Sequence, residues 1–531
     1  MKIAIAFSGP AWTWPNTAWL FLGEILSQKG YHVYADKQYA SVIKWDNNIF
    51  ILYISDKDFF ITDELDYFFT FDDFGTNKNI KTYKLPNIIK IESSIKFKNT
   101  FSFGAALKVL WISIEEWKQV MQKKFKEEIF ESNLENLNQW YDSIETKFDL
   151  SKIVGNPRTL IMWNEIIALW WIASGLDFYS AYPMTPASSI ADEVLKHKEV
   201  KFFQWEDEIA VAMSMLGAKF AGKRAMCGTS WWGFALMTES ISFSNQAELG
   251  GVYVLSQRAW PSTGTPTFTE QADLNYALNA TFGDTFPIVI APSDYEDVYN
   301  LIWKALNYSD IYQYPVIFVV DKSFSESYLS VDTTMLNAEK INRWKLESSP
   351  VEDFARYSIT DDGISPYTIP GTANGEYITT SYEHNEYGVS IDDADTKVKM
   401  TEKRFKKLET FVKNEFNDDF FGYEIINPDA KIFYITFGIN KIVLKDFVAD
   451  NPDMWVIIIK VLQPIDIRLQ EFLNKSNIQK LIFVEMNYSW QLKEYITAKL
   501  WLTTPQWKDK IQSINKFSLY PLYPKDLWEK S

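Results

Sequence analysis

The chain is expected to be an α/β protein made of several doubly wound, parallel-sheet domains. Three observations predict this. Short continuous apolar runs, among them MKIAIAF, PIVIAPS, PVIFVVD and MWVIIIKVL, have the length and character of strands buried on both faces. Segments with apolar residues at helical spacing alternate with them, as in NEIIALWWIASG and DYEDVYNLIWKALNYSDIY. Polar loops follow several strands where a helix begins, the place where open α/β sheets bind ligands.

Taken in order, residues 1–148 form a first α/β unit. MKIAIAF is a strand, SGPAWTWPNTAW a loop, LFLGEILSQKG a helix and YHVYAD a second strand, with NNIFILYIS, FFITDE and NIIKIES as further strands. The segment from FSFGAALKVL onward is helical. A polar linker at 149–158 leads into a second unit at 159–332. Residues 333–428 are rich in Gly, Pro, Thr and Asp and read as an ordered connecting segment. It includes the amphipathic helix MTEKRFKKLETFVKNEF, whose charges are expected to face solvent. Residues 429–531 form a last α/β unit. A length of 531 residues accommodates these units with ample buried core.

The stretch from Tyr179 to Asp273 organises the second unit. Tyr182-Pro183-Met184-Thr185-Pro186 is a rigid turn, and Ser188 or Ser189 can cap the helix after it. Glu206, Asp207 and Glu208 open the next helix. Thr229-Ser230 precedes the helix GFALMTESISF, and Arg258 ends the strand GVYVLSQR.

Composition excludes several function classes. A net charge of −16 argues against a nucleic-acid surface. Cys227 is the one cysteine, so no disulfide or cysteine-ligated cluster can form within the chain. It is expected to be a small buried apolar residue. Three scattered histidines argue against a zinc site, and His384 is expected to be structural. The apolar runs are too short to span a membrane, and a cytoplasmic location is expected. The loop after the first strand lacks G-x-G-x-x-G, so a plain crossover is favoured over a phosphate site.

The set YPMTP, EDEIA, GTSxxGFALMTE and QRxxPSTGxPT, in this order and spacing, resembles the alpha subunit of 2-oxoacid:ferredoxin oxidoreductases. The likeness covers nearly the whole chain. It implies a gamma-type domain at 1–148 fused ahead of a thiamine-pyrimidine-binding domain, and a transketolase C-terminal-like domain at the end. It implies thiamine diphosphate shared with a cysteine-rich beta subunit, which would carry Mg2+ and the iron–sulfur cluster and pass electrons to ferredoxin. Coenzyme A would be a co-substrate. The substrate class implied is a 2-oxo acid, with 2-oxoglutarate favoured over pyruvate or a branched-chain acid. A non-catalytic structural or regulatory subunit is the alternative of a different class.

Within that resemblance Glu208 is the candidate acid for the aminopyrimidine ring of the cofactor, as a carboxyl that desolvation keeps protonated. The bland alternative for this acidic run is complementing a helix N-terminus. Thr229 and Ser230 are candidate cofactor contacts. Thr185 and Arg258 are the substrate candidates, since an arginine fork matches a planar carboxylate in a bidentate way. Tyr367 stands where many relatives carry arginine, which puts an anion contact there in doubt.

Glycine and tryptophan each number 21. Glycine at about 4% falls short of the usual roughly 7%. Trp12, Trp14, Trp163, Trp170, Trp171, Trp231, Trp232, Trp260 and Trp490 stand where the resemblance leads one to expect glycine or another very small residue. The expectation is that the source organism reads one stop-like codon as glycine where tryptophan is written.

Overall fold

The structure is a computed structural model that describes residues 1–10, 16–39, 47–72, 81–91, 98–122, 126–261, 264–332, 340–343, 345–349, 353–427, 431–451, 453–475 and 478–528. Of the loop considered for phosphate, residues 11–15, with Trp12 and Trp14, lie outside the described residues; its ends belong to the strand Lys2–Pro10 and the helix Asn16–Gln28. Three sheets organise the rest.

The central sheet runs in the order Val461–Gln463, Ile288–Ile290, Pro315–Asp321, Gly251–Gln257, Ala225–Thr229, Phe178–Ala181, Lys201–Gln204. All its pairings are parallel except the edge strand Val461–Gln463 on Ile288–Ile290. Its middle strands are buried throughout, which explains their unbroken apolar character. The helices Trp163–Ala173 and Tyr295–Ile311 cover one face, with Trp171 edge-on to Phe318 at 5.5 Å.

After Phe178–Ala181 the chain crosses to the edge strand Lys201–Gln204. It then returns past its start to Ala225–Thr229 and goes on to Gly251–Gln257. The direction of winding therefore reverses between the neighbouring strands Phe178–Ala181 and Ala225–Thr229, which pair in parallel with Ala181 opposite Gly228. At such a switch point the outgoing loops diverge and leave a crevice.

The first sheet is mixed: Ile88–Lys90, Tyr67–Thr70, Lys2–Pro10, Asn47–Ser55, His32–Gln38, Tyr328–Val331, Thr159–Met162. Three strands are parallel, while His32–Gln38 and Asn47–Ser55 pair antiparallel with each other and with their outer neighbours. FFITDE is not a strand. It buries Phe60 and Ile61 in the core and makes only the isolated bridge of Glu64 to Lys84; the next strand is Tyr67–Thr70. The third sheet runs Tyr423–Ile426, Met454–Ile459, Ile432–Thr436, Lys480–Glu485, Ile511–Asn515, parallel apart from its first strand.

The sheets interlock along the chain. The segment 159–332 builds most of the central sheet, yet its first and last strands, Thr159–Met162 and Tyr328–Val331, complete the first sheet. Val461–Gln463, from the C-terminal part, completes the central one.

One expected solvent face is buried. The helix Ala394–Glu415 sends Lys403 and Lys407 into the interior, where both are fully buried and pair with Glu248 at 2.6 and 2.9 Å. Arg356 joins them, stacked over the Tyr367 ring at 4.7 Å. Tyr367 is itself buried and donates its hydroxyl to Lys219 O at 2.8 Å. His384 is fully buried, with Nδ1 2.9 Å from its neighbour's carbonyl at Asn385. Cys227 is buried, and burial pushes its thiol far up. Both residues behave as the structural groups the sequence suggests.

Candidate active site

Every candidate residue lies beyond the C-terminal end of a central-sheet strand. The turn 182–186 follows Phe178–Ala181, Glu208 follows Lys201–Gln204, Thr229-Ser230 ends Ala225–Thr229, and Arg258 ends Gly251–Gln257. The crevice of the switch point thus opens among them.

The acidic run divides its roles. Asp207 is the N-cap of the helix Glu208–Phe220, accepting from the N–H of Ala210 at 2.8 Å. That satisfies one of the donors a helix start leaves open. Glu206 is exposed. Glu208 is only 4% exposed, and its Oε1 has no hydrogen-bond partner. Burial pushes its carboxyl above the ordinary range, with the Asp207 charge adding to the effect. A buried carboxyl without a partner is costly unless something else fills the gap.

Gly233 shows what Glu208 faces. A Cβ built there would meet Thr229 Oγ1 at 2.1 Å and Glu208 Oε1 at 2.5 Å. The glycine therefore lets a strand end, a helix start and an acid converge. Thr229 Oγ1 also reaches Met184 Sδ at 3.9 Å, and the Ser230 hydroxyl is buried without a partner. These unsatisfied groups suit a polar heterocycle. The structure thus brings together Glu208, Thr229 and Ser230 as one cluster.

Thr185 and Arg258 form a second cluster, joined to the first through Met184. Arg258 is 8% exposed, and its Nη1 donates to the carbonyl of Thr185 at 2.5 Å. The contact to Thr185 is thus through the main chain, with its half-buried side chain beside it. Ser188 and Ser189 do not cap the helix Ser188–Val194. Ser189 instead accepts from Asn164 Nδ2 at 2.8 Å, which ties the turn to the helix Trp163–Ala173.

Sequence reasoning missed Asp273. It is buried, its Oδ2 has no partner, and its main-chain N–H donates to Gln257 Oε1 at 3.0 Å. Burial pushes its carboxyl up to about 7, against the pull of the Arg258 guanidinium. Glu270 lies nearby and accepts from the N–H of Trp260 at 3.1 Å. Nothing in a TEQADL loop marks one acid out, so no sequence signal was available.

Two tryptophans lie between Ser230 and Gly233. Trp231 opens the helix Trp231–Leu236 with φ 35 and stacks on Trp232 at 4.6 Å; Trp232 is 57% exposed.

A family profile described as pyruvate flavodoxin/ferredoxin oxidoreductase, thiamine diphosphate-binding, matches residues 171–403, the span that holds both clusters. The 2-oxoacid:ferredoxin oxidoreductase subunit alpha of Saccharolobus solfataricus is 31% identical over 78% of this chain and 69% of its own length. The corresponding subunit of a Sulfolobus species is 27% identical over 100% and 96%. The 2-oxoglutarate synthase subunit KorA of Methanocaldococcus jannaschii is 29% identical over 61% and 87%. The solved 2-oxoglutarate:ferredoxin oxidoreductase of Magnetococcus marinus, holding 2-oxoglutarate, coenzyme A and succinyl-CoA, superposes with a TM-score of 0.87 at 26% identity, covering 99% of this chain and 98% of that one. By sequence, by profile and along its whole length in structure, this chain belongs to the alpha subunits of the 2-oxoacid:ferredoxin oxidoreductases, close in kind to the 2-oxoglutarate synthases.

Proposed function

We propose that this chain is the alpha half of an enzyme that oxidatively decarboxylates 2-oxoglutarate to its acyl-CoA and reduces ferredoxin. The observation that carries the proposal is the buried carboxyl of Glu208 at the switch point, whose Oε1 has no partner. Residues 1–148 serve as its gamma-type unit, supported by a relative in which nearly the whole of this chain is matched in one piece. A cysteine-rich beta subunit completes the site and holds the diphosphate, Mg2+ and cluster, since this chain has one thiol, and it is buried.

When bound, thiamine diphosphate supplies a carbon nucleophile that can hold the electron pair left as carbon dioxide departs. Burial raises the Glu208 carboxyl, which would hydrogen-bond the ring nitrogen and hold the ring in register. Thr229 and Ser230 would orient that ring at the strand end. Arg258 receives the substrate carboxylate, and the Thr185 carbonyl fixes the direction of its fork.

Co-expression with the beta subunit, followed by a panel of 2-oxo acids with coenzyme A and ferredoxin, tests the proposal. Ferredoxin reduction is expected from the complex alone, with the highest kcat/KM for 2-oxoglutarate; a preference for pyruvate or a branched-chain acid would reassign the substrate. Iron in the isolated chain, or dye reduction by it, would overturn the two-subunit arrangement. The stacked Trp231 and Trp232 favour a second reading, a structural subunit with a blocked mouth. A complex that binds no thiamine diphosphate would support it.

A further inference from the structure

Helix ends carry the inference. After Trp163–Ala173, the N–H of Gly175 donates to Ile172 O at 3.0 Å and that of Leu176 to Trp171 O at 3.0 Å, with Gly175 at φ 84. Gly222 closes Glu208–Phe220 with the same two bonds, to Lys219 O and from Lys223 to Ala218 O, at φ 76. In this closure one residue past the helix turns left-handed and satisfies the last carbonyls. Glycine dominates the position because a Cβ is penalised there.

Trp111 and Trp501 occupy that same position. After Lys98–Val109, Trp111 donates to Lys108 O at 3.1 Å and Ile112 to Leu107 O at 2.8 Å. After Gln491–Lys499, Trp501 donates to Ala498 O at 3.4 Å and Leu502 to Thr497 O at 2.9 Å. Their φ values are 53 and 52. Ile112 and Leu502 are buried just beyond, as the motif requires, while the indoles are 54% and 69% exposed. The backbone is thus that of a glycine stop, and the side chains add nothing to the core.

Two further tryptophans share the strain. Trp490 is left-handed at φ 53 ahead of Gln491–Lys499, and Trp231 sits at φ 35. Four of the ten described non-glycine residues at positive φ are therefore tryptophan, where its share of the chain would place fewer than one. Asp353, Asn374 and Asn427 are residue types that tolerate this region, and Glu248 is held there by Lys403 and Lys407. A bulky ring has neither excuse.

We infer that the organism of origin inserts glycine at the codon written here as tryptophan, so that residues 111, 231, 490 and 501 of the native protein are glycine. For the active site the consequence is direct. Without the indoles of 231 and 232, the loop between Ser230 and Gly233 is bare backbone, and the mouth beside Glu208 stands open.

Peptide mass spectrometry of the protein purified from its native source decides the matter. Peptides spanning 111 and 501 should carry glycine masses, and tryptophan masses at both would overturn the inference. A second measurement needs no native source. Recombinant protein as written should melt below its Trp111→Gly/Trp501→Gly variant, and a lower Tm for the glycine form would count equally against the inference.

Discussion

Two glutamates in the thiamine-binding region are almost equally buried and behave in opposite ways. Around Glu248 burial alone would raise the carboxyl, but Lys403, Lys407 and Arg356 outweigh it and hold the group ionised, far below its ordinary range. Around Glu208 no cation answers among the described residues, one oxygen has no partner, and the carboxyl is pushed up. In the first cluster both carboxylate oxygens are paired within the chain, to Lys403 and Lys407, and the cluster binds the connecting segment to the domain. The second is incomplete by construction. Burial alone therefore does not mark a functional acid; an unanswered hydrogen-bonding atom at a strand-end crevice does.

The comparison can be broken most forcefully at Glu208. Glu208→Gln keeps the shape and loses the acidic proton, so kcat of the assembled complex should fall by about 10²- to 10⁴-fold, the usual range for a positioned acid. Tm and assembly should stay unchanged; retained turnover would remove Glu208 from the site. Glu248→Gln should give the mirror result. It leaves two buried lysines facing an amide, and losing one side of such a pair costs about 3–5 kcal/mol. Thermal or urea unfolding of the isolated chain should report this loss, with Glu208→Gln as the silent control.

Arg258→Lys should act on substrate binding rather than on either cluster's stability. A point charge replaces a fork, and a charged hydrogen bond contributes about 1.5–3 kcal/mol, so KM for the 2-oxo acid should rise roughly ten- to a hundredfold. Asp273 adds a pH dependence of definite sign. Its folded carboxyl titrates at about 7, above the ordinary range, so below that pH it is neutral and does not compete for the Arg258 guanidinium. Above pH 7 its carboxylate does compete, and KM should climb; Asp273→Asn should flatten the profile. The same raised value means that the stability contributed by Asp273 is present at low pH and is lost as pH rises through 7. Thr185→Val should have the smallest effect, about 1 kcal/mol in kcat/KM, because the observed bond to Arg258 uses the main-chain carbonyl.

The central sheet was legible because buried parallel strands leave unbroken apolar runs, and because the loops beyond them carry the family's motifs. Glu208, Thr229, Thr185 and Arg258 are candidates singled out through those motifs, and the structure groups them as two clusters. Asp273 was not legible, since its significance lies in what surrounds it and not in its type. Lys403 and Lys407 were misplaced for a related reason. Their spacing in Ala394–Glu415 is that of any solvated face, and only Glu248, far away in sequence, explains their burial. The completion of the first sheet was equally hidden, because two of its strands come from residues 159–162 and 328–331.

That arrangement imposes a schedule on synthesis. His32–Gln38 emerges early and pairs with Asn47–Ser55, but its other edge waits for Tyr328–Val331. At about 5–20 residues per second the ribosome needs roughly 15–60 s to deliver that partner. Throughout that interval a nascent strand edge is open to any neighbouring chain, the usual template for aggregation. Its second half, Asp36, Lys37 and Gln38, is charged and polar, which discourages such capture while the nascent chain waits.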